Sequence, residues 1–176
     1  MTSNPNDLAA DLRAYVAGRR DSKEESSLLR RLRGLSQRER LALLTPLLEL
    51  EERTALILID RAQLSRTDYL KIFKQGLTKR NDSIKLWMDA TVPHIGWRRT
   101  FSVLRACLAT NPRRGAFALY QVPAVCRRKG ELSGPLPTRE LAVECVQLIL
   151  QYHEKGQRVV DDNTLASFRK ALSSSK

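Results

Sequence analysis

The sequence predicts an all-α protein, a short stack of helical hairpins with capping helices at its ends. Three observations lead there. Apolar residues recur at three- and four-residue spacing almost throughout, and no stretch alternates cleanly with period two. Helix-start signals recur along the chain, with Ser or Asn at the right distance from Glu or Pro. The middle of the chain also repeats itself weakly at about 30 residues. An irregular helical bundle is the alternative architecture. The length of 176 residues suits a single domain able to bury a real core.

The elements follow in order. From Asp7, the residues Leu8, Leu12, Tyr15 and Val16 make one apolar stripe. Ser22 with Glu25 three residues on reads as a capping box, opening a helix that carries Leu28, Leu29 and Leu32 and ends near Gly34. Ser36 and Glu39 repeat the box and open a third helix. Glu51-Glu52 and Asp161-Asp162 are helix-start charges that complement the dipole. Asn111-Pro112 sets an N-cap before a proline at the first helical position. Pro93 and Pro123 each remove a backbone donor and are expected to kink or end their helices. Gly130, Gly134, Pro135 and Pro137 mark 127–137 as an exposed basic loop. The next helix buries Leu141, Cys145, Leu148, Ile149 and Tyr152, widened by Val143, Val146 and Leu150, and keeps only a narrow polar stripe. A last helix is expected over about Thr164 to Leu172.

The internal repeat is read residue by residue. Leu70, Ile72, Phe73, Lys74 and Leu77 recur 31 residues later as Phe101, Val103, Leu104, Arg105 and Leu108. Trp87 maps 30 residues on to Phe117, and Val92-Pro93 to Val122-Pro123. A step of 29 residues back from the Leu70 set reaches Leu41, Leu43, Leu44 and Leu48, and takes Asp89 to Asp60. Units of Ser36 to Arg66, Thr67 to Ile95 and Gly96 to Cys126 follow, each one antiparallel helix pair. In this pattern the chain resembles a HEAT-like α-helical repeat over 36–126. The resemblance implies interior hairpins stacked on a continuous core, with terminal helices as caps. The expected organisation is one domain over 1–176: N-terminal helices in 1–35, three hairpins in 36–126, the basic loop in 127–137 and capping helices in 138–176.

Charge supplies the functional expectation. The chain carries 31 basic and 19 acidic residues, a net charge of +12. Between Asp89 and Glu131 lie 41 residues with no acid, yet with Arg98, Arg99, Arg105, Arg113, Arg114, Arg127, Arg128 and Lys129. Solvating charge is normally mixed in sign, so this run points to a surface that meets something negative. In the repeat register Arg98 and Arg99 open one helix and Arg113 and Arg114 open the next, near the rims of the stack. Helix N-termini add N–H groups and a positive dipole end that suit phosphate. The expectation is a non-enzymatic nucleic-acid-binding protein, DNA or RNA, with Arg98, Arg99, Arg113, Arg114, Arg127, Arg128 and Lys129 on phosphates. Trp97, beside two arginines at a helix start, is the aromatic expected to contribute, while Trp87 and Tyr120 lie in the same region. Trp87, on an apolar face with Ile84 and Met88, reads as core. The alternative is a protein–protein interaction adaptor that docks an acidic partner on the same arginines.

Other chemistry is not expected. His94 and His153 are far apart and have no Cys or His at ligand spacing, so no metal or cofactor is predicted. Cys107, Cys126 and Cys145 form an odd set without CxxC and read as buried thiols of a reducing compartment. That favours a cytoplasmic location, or a nuclear one in a eukaryote. The N-terminal segment lacks an apolar signal region, and the longest apolar run, Ala55 to Ile59, is too short to span a bilayer. Some HEAT-like proteins excise damaged DNA bases with an acid beside tryptophans, which invites a comparison with Asp89 and Trp87. No motif carries that activity over, and no catalytic residue is assigned.

Overall fold

The computed structural model describes residues 5–18, 21–79, 83–128, 138–156 and 160–173, and among these every regular element is an α-helix. They are α1 (Pro5–Ala17), α2 (Ser22–Arg33), α3 (Gln37–Leu44), α4 (Leu47–Leu50), α5 (Glu52–Arg61), α6 (Arg66–Thr78), α7 (Ile84–Ile95), α8 (Trp97–Thr110), α9 (Pro112–Arg128), α10 (Thr138–Glu154) and α11 (Asp162–Ser173).

Side-chain acceptors set most of the starts. Ser36 accepts from the Glu39 N–H, and the Glu39 carboxylate takes the Ser36 N–H at 2.8 Å, a complete capping box for α3. Ser65 does the same work for α6, accepting from the Asp68 N–H at 3.1 Å. The Glu51 carboxylate takes the Arg53 and Thr54 N–H groups at the head of α5. Asn111 accepts from the Arg114 N–H at 3.2 Å, with Pro112 first in α9. At α2 the expected Ser22–Glu25 box is corrected. Asp21 is the N-cap and accepts from the Lys23 N–H, so Ser22 is already helical. Glu25 is turned instead to the Tyr15 hydroxyl, at 2.9 Å, and to Arg61.

The capping box of α3 is sensitive to acid. The Ser36 hydroxyl, and then its backbone N–H, hold the Glu39 carboxyl below the usual carboxylate range. A depressed folded value means stability that is present above the ordinary carboxylate range and lost as pH falls through the lowered one. The thermal midpoints of wild type and Glu39→Gln should therefore differ at pH 7 and converge as the pH is taken towards 3. Ser36→Ala, which removes the cap itself, should cost about 1 kcal/mol.

The helices pair with their neighbours in sequence and then with helices further along the chain. α6 packs on α7 and α8 on α9, while α5, α7 and α9 lie against one another in turn. α4 joins α5 to α1, and α10 covers α8. One apolar core runs through these layers from Leu8 to Ile149. α7 is its centre, burying Ile84, Trp87, Met88, Ala90, Thr91, Val92 and Ile95. Two glycines allow close helix approach. A Cβ on Gly76 would meet the Trp87 ring at 2.5 Å, and one on Gly115 would meet Leu108 at 2.8 Å. The second contact joins residues on either side of Asn111, as two antiparallel helices joined by a one-residue turn require.

Neither proline ends its helix at once. α7 continues two residues past Pro93, and α9 runs five past Pro123 to Arg128. Arg127 and Arg128 are therefore helical at the backbone, a correction to the loop expected from residue 127. The rest of that loop lies outside the described residues. Gly96, at φ +80, ends α7 and donates its N–H to the Val92 carbonyl before the chain turns into α8.

Candidate nucleic-acid interface

Most of the longer helices begin in the ordinary way, with acid at the positive end of the dipole: Asp7, Glu24 and Glu25, Glu39, Glu52, Asp68 and Asp162. The first turns of α8 and α9 have none and carry Arg98, Arg99, Arg113 and Arg114 instead. A cation there opposes the dipole and costs about 0.3–1 kcal/mol at an exposed position. α8 also has no side-chain cap, because Gly96 stands at that position. Arg98, Arg99 and Arg113 are exposed, and among the described residues no carboxylate lies in ion-pair range of them. Within the acid-free run Arg105 is neutralised by Glu144 of α10 at 2.8 Å, and before it Lys85 pairs with Asp89 at 2.7 Å and Lys79 with Glu49 at 2.6 Å.

Arg114 departs from its helix-start partner. It is half-buried, and its Nη2 donates to the Gly76 carbonyl at 3.1 Å, tying α9 to the last turns of α6. Its guanidinium acts as a clamp between helices in this structure. The remaining positions form two groups, because α8 and α9 run antiparallel. Arg98 and Arg99 lie at one end of the hairpin, and Arg113 lies at the other, about 20 Å away along the helix at 1.5 Å per residue. The C-terminus of α9 returns to the first end, bringing backbone positions 127 and 128 towards the start of α8. The side chains of Arg127 and Arg128, and all of Lys129, lie outside the described residues.

The aromatics sort by burial. Trp87 is 0% exposed, enclosed behind Gly76. Trp97 is half-buried, packed on the core with its ring tilted over Phe101 at 5.9 Å between centroids. Among the described aromatics Tyr120, on α9, is the one that faces water, at 50% exposure. The comparison of Asp89 and Trp87 with a base-excising pair finds both side chains buried and Asp89 bound to Lys85.

A polar cluster that sequence reasoning missed joins the ends of α5 and α7. His94 Nε2 lies 3.0 Å from Asp60 Oδ1, and its ring stacks on Tyr69 at 3.9 Å and 7°. The Tyr69 hydroxyl donates to the Ile59 carbonyl at 3.1 Å, and burial pushes its phenol up. Asp60 and His94 are 34 residues apart, so no local spacing announced them. Their neighbours make this a tie between helix ends. Among the described residues no group of three or more His, Cys, Asp or Glu could hold a metal ion.

Cys145 is buried, and Cys107 half-buried; the Cys126 side chain lies outside the described residues. Burial, followed by the Glu144 charge, pushes the Cys145 thiol up to about 11. It should therefore resist Ellman's reagent at pH 8, so that Cys145→Ser leaves the fast-labelling amplitude unchanged. A raised thiol contributes stability below its ordinary value and loses that contribution as pH rises through the folded one. The wild type should accordingly lose its advantage over Cys145→Ser between about pH 9 and 11 in unfolding experiments.

Comparison with protein-family models, with curated proteins and with solved structures finds no match for this chain. Fold and surface together define its class: an all-α protein of paired helices, with arginines placed against the dipole at two successive helix starts. Among the described residues no helix is long and apolar enough to cross a membrane.

Proposed function

We propose that this chain is a non-enzymatic nucleic-acid-binding protein of HEAT-like helical-repeat architecture, acting in the cytoplasm. Arg98, Arg99 and Arg113 are the phosphate contacts on the described surface, and Arg127, Arg128 and Lys129 extend the set. The observation that carries this reading is the start of α8 and α9: exposed arginines, with no carboxylate partner among the described residues, stand where most of the longer helices place acid. That arrangement is unfavourable for the free protein and becomes favourable when a phosphate arrives, because N–H groups, dipole and guanidinium then all face an anion. Such contacts give affinity and little sequence choice.

Fluorescence anisotropy with labelled single-stranded RNA and duplex DNA over a salt series tests it. Steep salt dependence, reduced in the Arg98→Ala/Arg99→Ala/Arg113→Ala variant, is the expected result, because each phosphate contact releases counterions. Weak binding, equal in both proteins and flat in salt, removes the reading. It would direct the search to an acidic protein partner docked on the same arginines, the adaptor alternative.

A further inference from the structure

The exposed face of α9 carries more than charge. Arg113, Phe117 and Tyr120 stand at i, i+4 and i+7, one stripe of a helix. The opposite side is packed close to its neighbours through the small residues Gly115, Ala116 and Ala118 and through Leu119. Phe117 is half-buried against the core, which anchors the stripe, and Tyr120 stands out from it at 50% exposure. The Tyr120 hydroxyl has no hydrogen-bond partner among the described residues. Among the described residues the other exposed large apolar side chain, Leu50, is flanked by Glu49 and Glu51. Tyr120 lies within the acid-free run.

We infer that this stripe is a stacking platform for single-stranded nucleic acid, with Tyr120 under an unpaired base and Arg113 on the backbone of the same strand. The inference rests on the nucleic-acid reading above and adds the strand type. Every interior base of a duplex is already stacked on both faces, so a lone exposed ring gains nothing along it. A single strand offers free π-faces, and α9 itself carries no carboxylate to repel its phosphates. Arg113 and Tyr120 are separated by about 10 Å of helix rise. That matches about three stacked nucleotides at 3.4 Å each, so one strand reaches both. A membrane surface would need a broad exposed apolar face, and here Phe117 is partly covered.

The test compares wild type, Tyr120→Ala and Tyr120→Phe on a labelled single-stranded RNA, the same sequence as a duplex, phosphatidylserine vesicles and poly-glutamate. Tyr120→Ala should weaken single-strand binding roughly 5- to 150-fold, with duplex binding and the salt slope unchanged, and Tyr120→Phe should keep most of the affinity. Thermal melting should show both variants folded, since the ring is exposed. Salt-steep wild-type binding that Tyr120→Ala leaves intact, or weakens equally for duplex, overturns the platform alone. Tyr120-dependent binding to vesicles or poly-glutamate in place of RNA overturns it as well. Absence of any salt-dependent nucleic-acid binding in the wild type overturns both this inference and the wider reading.

Discussion

Gly76→Val is expected to destabilise the protein by more than about 3 kcal/mol, a large share of the 5–15 kcal/mol that holds a typical domain folded. The glycine is needed for space. A Cβ there would stand 2.5 Å from Cδ2 of Trp87, 2.6 Å from Cγ and 2.7 Å from Cε3. The indole is 0% exposed and has nowhere to retreat. Inserting one methyl into a packed core costs about 1–3 kcal/mol, against about 1 kcal/mol gained in helix propensity when Gly becomes Ala. Gly76→Ala alone is therefore destabilising, and valine adds two more carbons to the clash. Trp87→Ala should cost about 3–5 kcal/mol by emptying the centre of the α6–α7 contact. The decisive measurement is a double-mutant cycle by urea unfolding. In the Trp87→Ala background Gly76→Ala should turn neutral or stabilising, because the ring it met is gone. Equal loss in both backgrounds would mean that the Gly76–Trp87 contact is not the cause.

Arg98, Arg99 and Arg113 are expected to separate from Arg114 in a crossed pattern. Changing the first three to Ala should lower nucleic-acid affinity at least about tenfold near 0.15 M salt. It should also reduce the salt slope by about 2 for a single strand, at roughly 0.7 per phosphate contact. Stability should stay level or rise, since each variant removes a cation from the positive end of a helix. Arg114→Ala should do the reverse. It removes the guanidinium bond to the Gly76 carbonyl, which should cost about 1–3 kcal/mol, and should leave the salt slope nearly unchanged. Chemical unfolding and salt-dependent anisotropy on the triple variant and on Arg114→Ala measure both axes. An Arg114→Ala slope that falls like the others would mean that this guanidinium leaves the Gly76 carbonyl to meet phosphate.

Much of the helix pattern was legible because its causes lie within four residues. Ser36 with Glu39 and Asn111 with Pro112 make their caps from adjacent groups, and the structure has both. Ser22 misled for an equally local reason: Asp21, one residue earlier, holds the extended backbone of an N-cap and offers its carboxylate first. Trp87 read as core from Ile84 and Met88 on the same face, and it is wholly buried. Equating Asp60 with Asp89 by their spacing gave no access to their partners. Asp60 of α5 meets His94 of α7, and Asp89 meets Lys85 within its own helix.

Local sequence was sufficient for the all-α class, for most helix starts and for the concentration of positive charge, since each depends on neighbours along the chain. It could not tell which arginines face water. That choice is made where α9 packs on α6, bringing Arg114 within 3.1 Å of a carbonyl 38 residues away. Nor could it rank Trp97 against Tyr120 as the exposed aromatic. Trp97 borders α8's buried face and lies on Phe101, whereas Tyr120 falls on the side of α9 opposite its close contacts. Exposure is a property of the assembled layers, because a side chain's solvent is whatever the neighbouring helices leave uncovered.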